Sequence, residues 1–155
     1  MISIINPNMK TRFRDQKLRI SEFYKKVFIQ CPRCDLKAIS TVDYETRNAR
    51  LLCENCTYNK DCSTETTFFG STGNLILPAH QYFYANLWLL APFKNDIVWA
   101  YNYDHLDYLE AYIGAKLREK QDREHYTLLE KLPLFYHDRK NRDSLLKLIS
   151  KLRLK

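Results

Sequence analysis

Cys31-Pro32-Arg33-Cys34, eighteen residues of spacer, then Cys53-Glu54-Asn55-Cys56: these two Cys-x-x-Cys knuckles decide how the chain is read. Thiol pairs at this internal spacing and separation are the donor set of one tetrahedral zinc ion. Four thiolates at about 2.3 Å fill the coordination sphere and leave no position for water or substrate, so the expected Zn2+ is structural. The spacer supports the same reading. Residues 37–42 favour a strand, 44–48 carry turn chemistry and 49–53 return as a second strand, giving a hairpin with its tip at 45–48. The expectation is a zinc ribbon held by Cys31, Cys34, Cys53 and Cys56. Cys62 is left over and reads as a free or buried thiol, because the site is already full.

At 155 residues, with 45% hydrophobic and 14% aromatic content, the chain is long and apolar enough to bury a core around this staple. No apolar run approaches the ~18 residues that cross a membrane. The opening Met1-Ile2-Ser3-Ile4-Ile5 lacks the basic start and long apolar core of a secretory signal. Reduced thiols serving as ligands fit a cytoplasmic protein, with no membrane partner expected.

The formal charge is +7, which invites a nucleic-acid reading. Its distribution weakens that reading. Residues 139–155 carry a net +6 and residues 12–26 a net +4, whereas 31–62 balance and 63–138 sum to −4. Four thiolates around a divalent cation make the ribbon more negative still. The candidate polar contacts for a partner are therefore Arg139, Lys140, Arg142, Lys147 and Lys151, with Arg47 and Arg50 near the hairpin tip. A plainly solvated surface competes for each of them, since charge runs usually face water.

Along the rest of the chain, residues 1–12 read as an arm, and Ser21-Glu22 as the start of a short helix over 22–27. Strands are expected at 66–69, 74–77, 84–90 and 97–101, with turns at Gly70–Gly73 and 92–95. No Lys-Ser or Lys-Thr follows those glycines, so they form no phosphate loop. The aromatics from His80 to Tyr103 read as core with hydroxyls at the rim; only Lys94 is interleaved, too little cation for a base-stacking platform. Asn102 caps a helix over 103–120 with Leu106, Leu109, Ile113 and Leu117 on one face. A second helical segment, 124–132, stops at Pro133. Asn141 or Asp143 caps a last helix striped by Leu145, Leu148, Ile149 and Leu152. The expected architecture is α+β: an arm and short helix (1–26), the four-Cys ribbon (27–62), and a small β-sheet packed with C-terminal helices (63–155), in one compact unit.

No metalloprotease, nucleophile-elbow, dinucleotide or kinase motif is present, and His80, His105, His125 and His137 lack mutual metal spacing. No enzyme is expected. The stretch from Ile29 to Cys56 resembles the transcription-factor-IIB-type zinc ribbons. Val98-Trp99-Ala100-Tyr101-Asn102, His105-Leu106-Asp107-Tyr108-Leu109-Glu110-Ala111-Tyr112 and Lys140-Asn141-Arg142-Asp143-Ser144-Leu145-Leu146-Lys147 are similar to a family of small bacterial proteins known by that ribbon. The resemblance implies a bacterial accessory protein, with an immunity partner of an antibacterial toxin as one role. Asp35 and Thr57 stand where many such ribbons have glycine, which puts tilted knuckle turns among the expectations. Two readings stay open: a module that binds a partner protein, toxin or other bacterial factor, and a nucleic-acid-binding or transcription-associated ribbon.

Overall fold

The hairpin between the knuckles is the middle of a four-stranded antiparallel sheet. The computed structural model describes residues 12–13, 18–115, 117–118 and 128–155. Strands β2 (Lys26–Gln30), β3 (Lys37–Asp43), β4 (Asn48–Leu52) and β5 (Asn59–Ser63) run in that spatial order, after a two-residue β1 (Arg12–Phe13). The pleat sends alternate residues inward. Ala38, Ser40 and Val42 of β3 are buried, as are Ala49 and Leu51 of β4, and the register sets Val42 opposite Ala49 and Ser40 opposite Leu51. Ser40 is the one hydroxyl on this face of β3, and it donates to the Val27 carbonyl at 3.2 Å.

β2 replaces the expected helix over 22–27. The chain makes only a 3-10 turn at Ile20–Phe23 and is extended from Lys26. Val27, Phe28 and Ile29 are all buried, and three consecutive buried positions suit a strand covered on both faces better than one turn of helix. The outer edge of β2 is also taken. Phe28 N–H donates to the Tyr101 carbonyl, Gln30 N–H to that of Asn86, and Trp88 N–H to that of Phe28. This edge, which would otherwise invite a foreign strand, instead fastens the sheet to the helical half.

Two further hairpins follow: β6 (Glu65–Phe68) with β7 (Ser71–Asn74), and β8 (Leu89–Phe93) with β9 (Asp96–Ala100). The expected strands at 74–77 and 84–90 are thus displaced. Ala79–Phe83 is a 3-10 turn, Tyr84 is left-handed and exposed, and Pro92 belongs to β8, whose pairing to β9 alone tolerates a missing N–H. Asn102 caps α1 (Tyr103–Gly114) by accepting from His105 N–H at 2.9 Å, as expected. The helix ends at Gly114, and Leu117–Arg118 form β10, parallel to β1; residues 116 and 119–127, part of the expected helices, lie outside the described residues. Of the segment expected at 124–132, Leu129–Lys131 is a 3-10 turn. The last helix is α2 (Arg142–Arg153). Asn141 stands at its cap position, but its side chain is spent on Lys94 Nζ and the Phe135 carbonyl.

α1 packs on α2 and β9, and α2 on β8. Leu106, Leu109 and Ile113 share one buried cluster with Leu145, Ile149 and Leu152. Truncating Leu109, 1% exposed, to alanine should lower unfolding free energy by about 2–5 kcal/mol, read from urea denaturation. His105 is buried in the same region, its ring stacked on Phe23 at 4.7 Å and its Nδ1 accepting the Tyr101 N–H at 3.1 Å. Burial pushes its pKa down to about 4. The unfolded chain takes this proton near pH 6.5 and the folded one does not, so stability should fall as pH drops from 6.5 to 4, by on the order of 3 kcal/mol. His105→Asn, whose Oδ1 can accept the same N–H, should lose that component of the pH profile.

Candidate metal centre

The two knuckles are built alike. Cys31 N–H donates to the Leu36 carbonyl at 2.8 Å, and Cys53 N–H to the Tyr58 carbonyl at 2.8 Å, each closing a loop to the residue five ahead. The turn between them brings the second thiol back beside the first. In the first knuckle Arg33 N–H also points at the Cys31 sulfur, 3.4 Å away. Cys31 and Cys53 are wholly buried, while Cys34 and Cys56 reach partial exposure. Each knuckle thus supplies one inner and one outer sulfur.

The four sulfurs converge. Cys31 Sγ lies 3.7 Å from Cys56 Sγ, Cys34 Sγ lies 3.6 Å from Cys53 Sγ, and all four fall within 4.8 Å of one another. A tetrahedron with metal–sulfur bonds of about 2.3 Å has edges of about 3.8 Å, so the cluster has the dimensions to hold one metal ion. The four thiols also set one another's ionisation. Burial alone would raise the Cys53 thiol, but the Cys56 and Asn55 N–H groups and the Cys34 and Cys31 thiols bring it down to about 7. At Cys34 the Leu36 N–H lowers the pKa, yet burial and the thiols of Cys53, Cys56 and Cys31 carry it up to about 12. Thiols this close ionise at one another's expense until a positive charge sits among them.

Both residues in the glycine-like positions after the knuckles take up left-handed backbone, Asp35 at φ 61° and Thr57 at φ 62°. The chain keeps the conformation that glycine favours and carries the strain. Aspartate tolerates this region; β-branched threonine does so at a cost. The Thr57 hydroxyl donates to the Cys56 carbonyl at 2.6 Å. Cys62 lies on β5 opposite Ala49, outside the cluster.

The expected polar contacts part company here. Arg47 pairs with Glu65 at 3.0 Å, and Arg50 forks onto Asp61 of the neighbouring strand at 2.9 and 3.2 Å. Arg142 donates to the Ile113 and Ala115 carbonyls, both at 3.1 Å, and so satisfies the end of α1. Arg139, Lys140, Lys147 and Lys151 remain exposed around α2. Sequence reading passed over Phe68 and Phe69, which are 70% and 99% exposed at the β6–β7 tip. The available signal was their neighbourhood, Thr66-Thr67 before and Ser71-Thr72 after, which leaves the short hairpin no apolar face to bury them.

No protein-family model, curated protein or solved structure matches the chain. Replacing Cys31 and Cys34 together by serine should abolish metal binding and the ordered sheet, whereas Cys62→Ala should leave the metal content unchanged. Thr57→Gly should keep the metal and raise stability by about 1 kcal/mol through relief of the left-handed strain. Elemental analysis and thermal denaturation of the three variants check these outcomes.

Proposed function

We propose that this chain is a non-enzymatic zinc-ribbon protein whose four thiolates hold one structural Zn2+ and whose task is to bind a partner protein. Zinc is favoured by the all-sulfur donor set and its tetrahedral dimensions. Such sites contribute folding free energy on the order of 10 kcal/mol. A stoichiometric zinc content with no visible absorption band fits this assignment; a coloured, iron-loaded protein counts against it.

The observation that carries the partner reading is the β6–β7 tip. Phe68 and Phe69 stack edge-on at 5.2 Å in nearly full solvent, and Phe69 does so at φ 48°. Burying one such ring against a partner is worth about 1.5–3 kcal/mol. Two adjacent aromatics form the kind of anchor on which interfaces concentrate their energy. The family resemblance makes an antibacterial toxin, met in the cytoplasm, the partner class to try first.

The nucleic-acid reading keeps the exposed bases around α2 as its support. It loses Arg47, Arg50 and Arg142 to internal bonds, and Arg153 to Asp107 and Glu110. The Phe68→Ser, Phe69→Ser double variant should melt as the parent does yet fail to form a one-to-one complex that survives physiological salt. Duplex affinity that falls with a logarithmic slope of about −0.9 per phosphate neutralised, is unaffected by the Phe changes and is lost in Lys147→Ala, Lys151→Ala would favour nucleic acid instead.

A further inference from the structure

A cavity of about 210 Å³ opens between β9, α1 and the Leu128–Tyr136 stretch, remote in sequence from the knuckles. Most of its wall is aliphatic or aromatic. Ile97 stands on the rim, 54% exposed, with Trp99 and Leu109 deeper on the wall. An apolar cavity of this size takes an apolar guest readily, a 150 Å³ engineered one being enough for benzene.

The wall carries polar atoms on Trp99, His105, Lys131 and Tyr136, and two of these, His105 and Lys131, give the guest a direction. His105 is 2% exposed, and its Nδ1 accepts the Tyr101 N–H, so in the neutral ring the proton sits on Nε2. No described residue accepts from that N–H, and it lines the cavity, where a guest can meet it. The second group is Lys131, exposed at the edge of the same cavity and without an ion pair among the described residues. None of the described lining residues is a carboxylate, and the nearby Asp96 acts on Tyr136 of the wall. A fixed donor inside and a cation at the mouth describe a seat for an acceptor that is negatively charged.

We propose that this cavity binds a small carboxylic acid with a single aromatic or compact aliphatic body. The body packs between Trp99 and Leu109, and the carboxylate takes the His105 Nε2–H while its charge faces Lys131. The His105–Tyr101 hydrogen bond holds the imidazole in the donor tautomer, which makes His105 the orienting contact and Lys131 the electrostatic one. This site is independent of the partner surface at Phe68 and Phe69 and of the metal.

Phenylacetate tests the inference on the intact, metal-loaded chain. Titration followed by Trp99-sensitive fluorescence and by ligand-observed NMR should show one saturable site with a Kd on the order of 1 mM or tighter, in keeping with about ten ligand atoms. Phenethylamine, of similar shape but opposite charge, should not compete. Lys131→Glu, at an exposed position, should weaken phenylacetate by about fivefold or more. Ile97→Trp, also exposed, should close the mouth and abolish binding with the melting temperature unchanged. Absence of saturable phenylacetate binding, equal binding of the amine, or affinity indifferent to both substitutions would overturn the proposal and leave the cavity to water alone.

Discussion

Four thiols within 4.8 Å of one another make a site with the dimensions to hold one metal ion. Burial, backbone N–H groups and hydrogen bonds among the thiols set them apart, with Cys53 held down near 7 and Cys34 driven up to about 12. A metal ion held by all four would join the two knuckles. Everything in the sheet follows from this clamp. β2 ends as the chain enters the first knuckle, β3 leaves it, β4 runs into the second, and β5 leaves that. All four strands therefore have one end fixed at the centre, and the register that sets Ser40 opposite both Val27 and Leu51 is pinned where the chain is tightest. The helical half is attached through β2, whose free edge is bonded to Tyr101, Asn86 and Trp88.

The legible parts were those with a short, strict period. The knuckles have a two-residue spacing that leaves one arrangement for four sulfurs, and the hairpin between them alternates buried and exposed residues as the pleat demands. The faces of α1 and α2 were readable from leucines three and four apart, and Asn102 from its place before them. Illegible parts depended on distant partners. Val27-Phe28-Ile29 scans as part of an amphipathic turn until Tyr101 and Leu87 arrive to cover its edge. Residues 79–88 are apolar enough for a strand, yet the chain folds there as a 3-10 turn with Tyr84 left-handed behind it. The cavity could not be seen at all, because its wall is drawn from stretches more than a hundred residues apart.

Charge was the least transferable signal. Arg47, Arg50, Arg142 and Arg153 look alike in a sequence, but each is committed inside the molecule, two to neighbouring strands and two to α1. Of the acids of α1 only Asp104 lies in the first turn, where it favours the helix N-terminus; Asp107 and Glu110 receive Arg153 from α2. A sum of formal charges cannot separate these from Lys147 and Lys151, which face solvent.

The placement of strain follows from the same economy of glycine. The chain has only three glycines, yet Asp35, Arg47, Thr57, Phe69, Tyr84 and Lys94 all hold positive φ. They sit at each knuckle, at the tip of the ribbon hairpin, at the tips of the other two hairpins and just ahead of β8. Each costs on the order of 1 kcal/mol relative to glycine, and such conformations persist only where the surroundings over-determine them. At Asp35 and Thr57 the surroundings are the thiol cluster. At Arg47 they are β3 and β4 together with the Glu65 ion pair. Phe69 and Gly70, at φ 48° and 79°, form the two-residue turn between the paired Phe68 and Ser71, so the β6–β7 hairpin holds that backbone, yet the Phe69 ring is almost wholly in solvent beside Phe68. The turn explains the backbone there but not the choice of a large aromatic that the fold leaves 99% exposed, which is the physical reason to look outside the chain for what that ring meets.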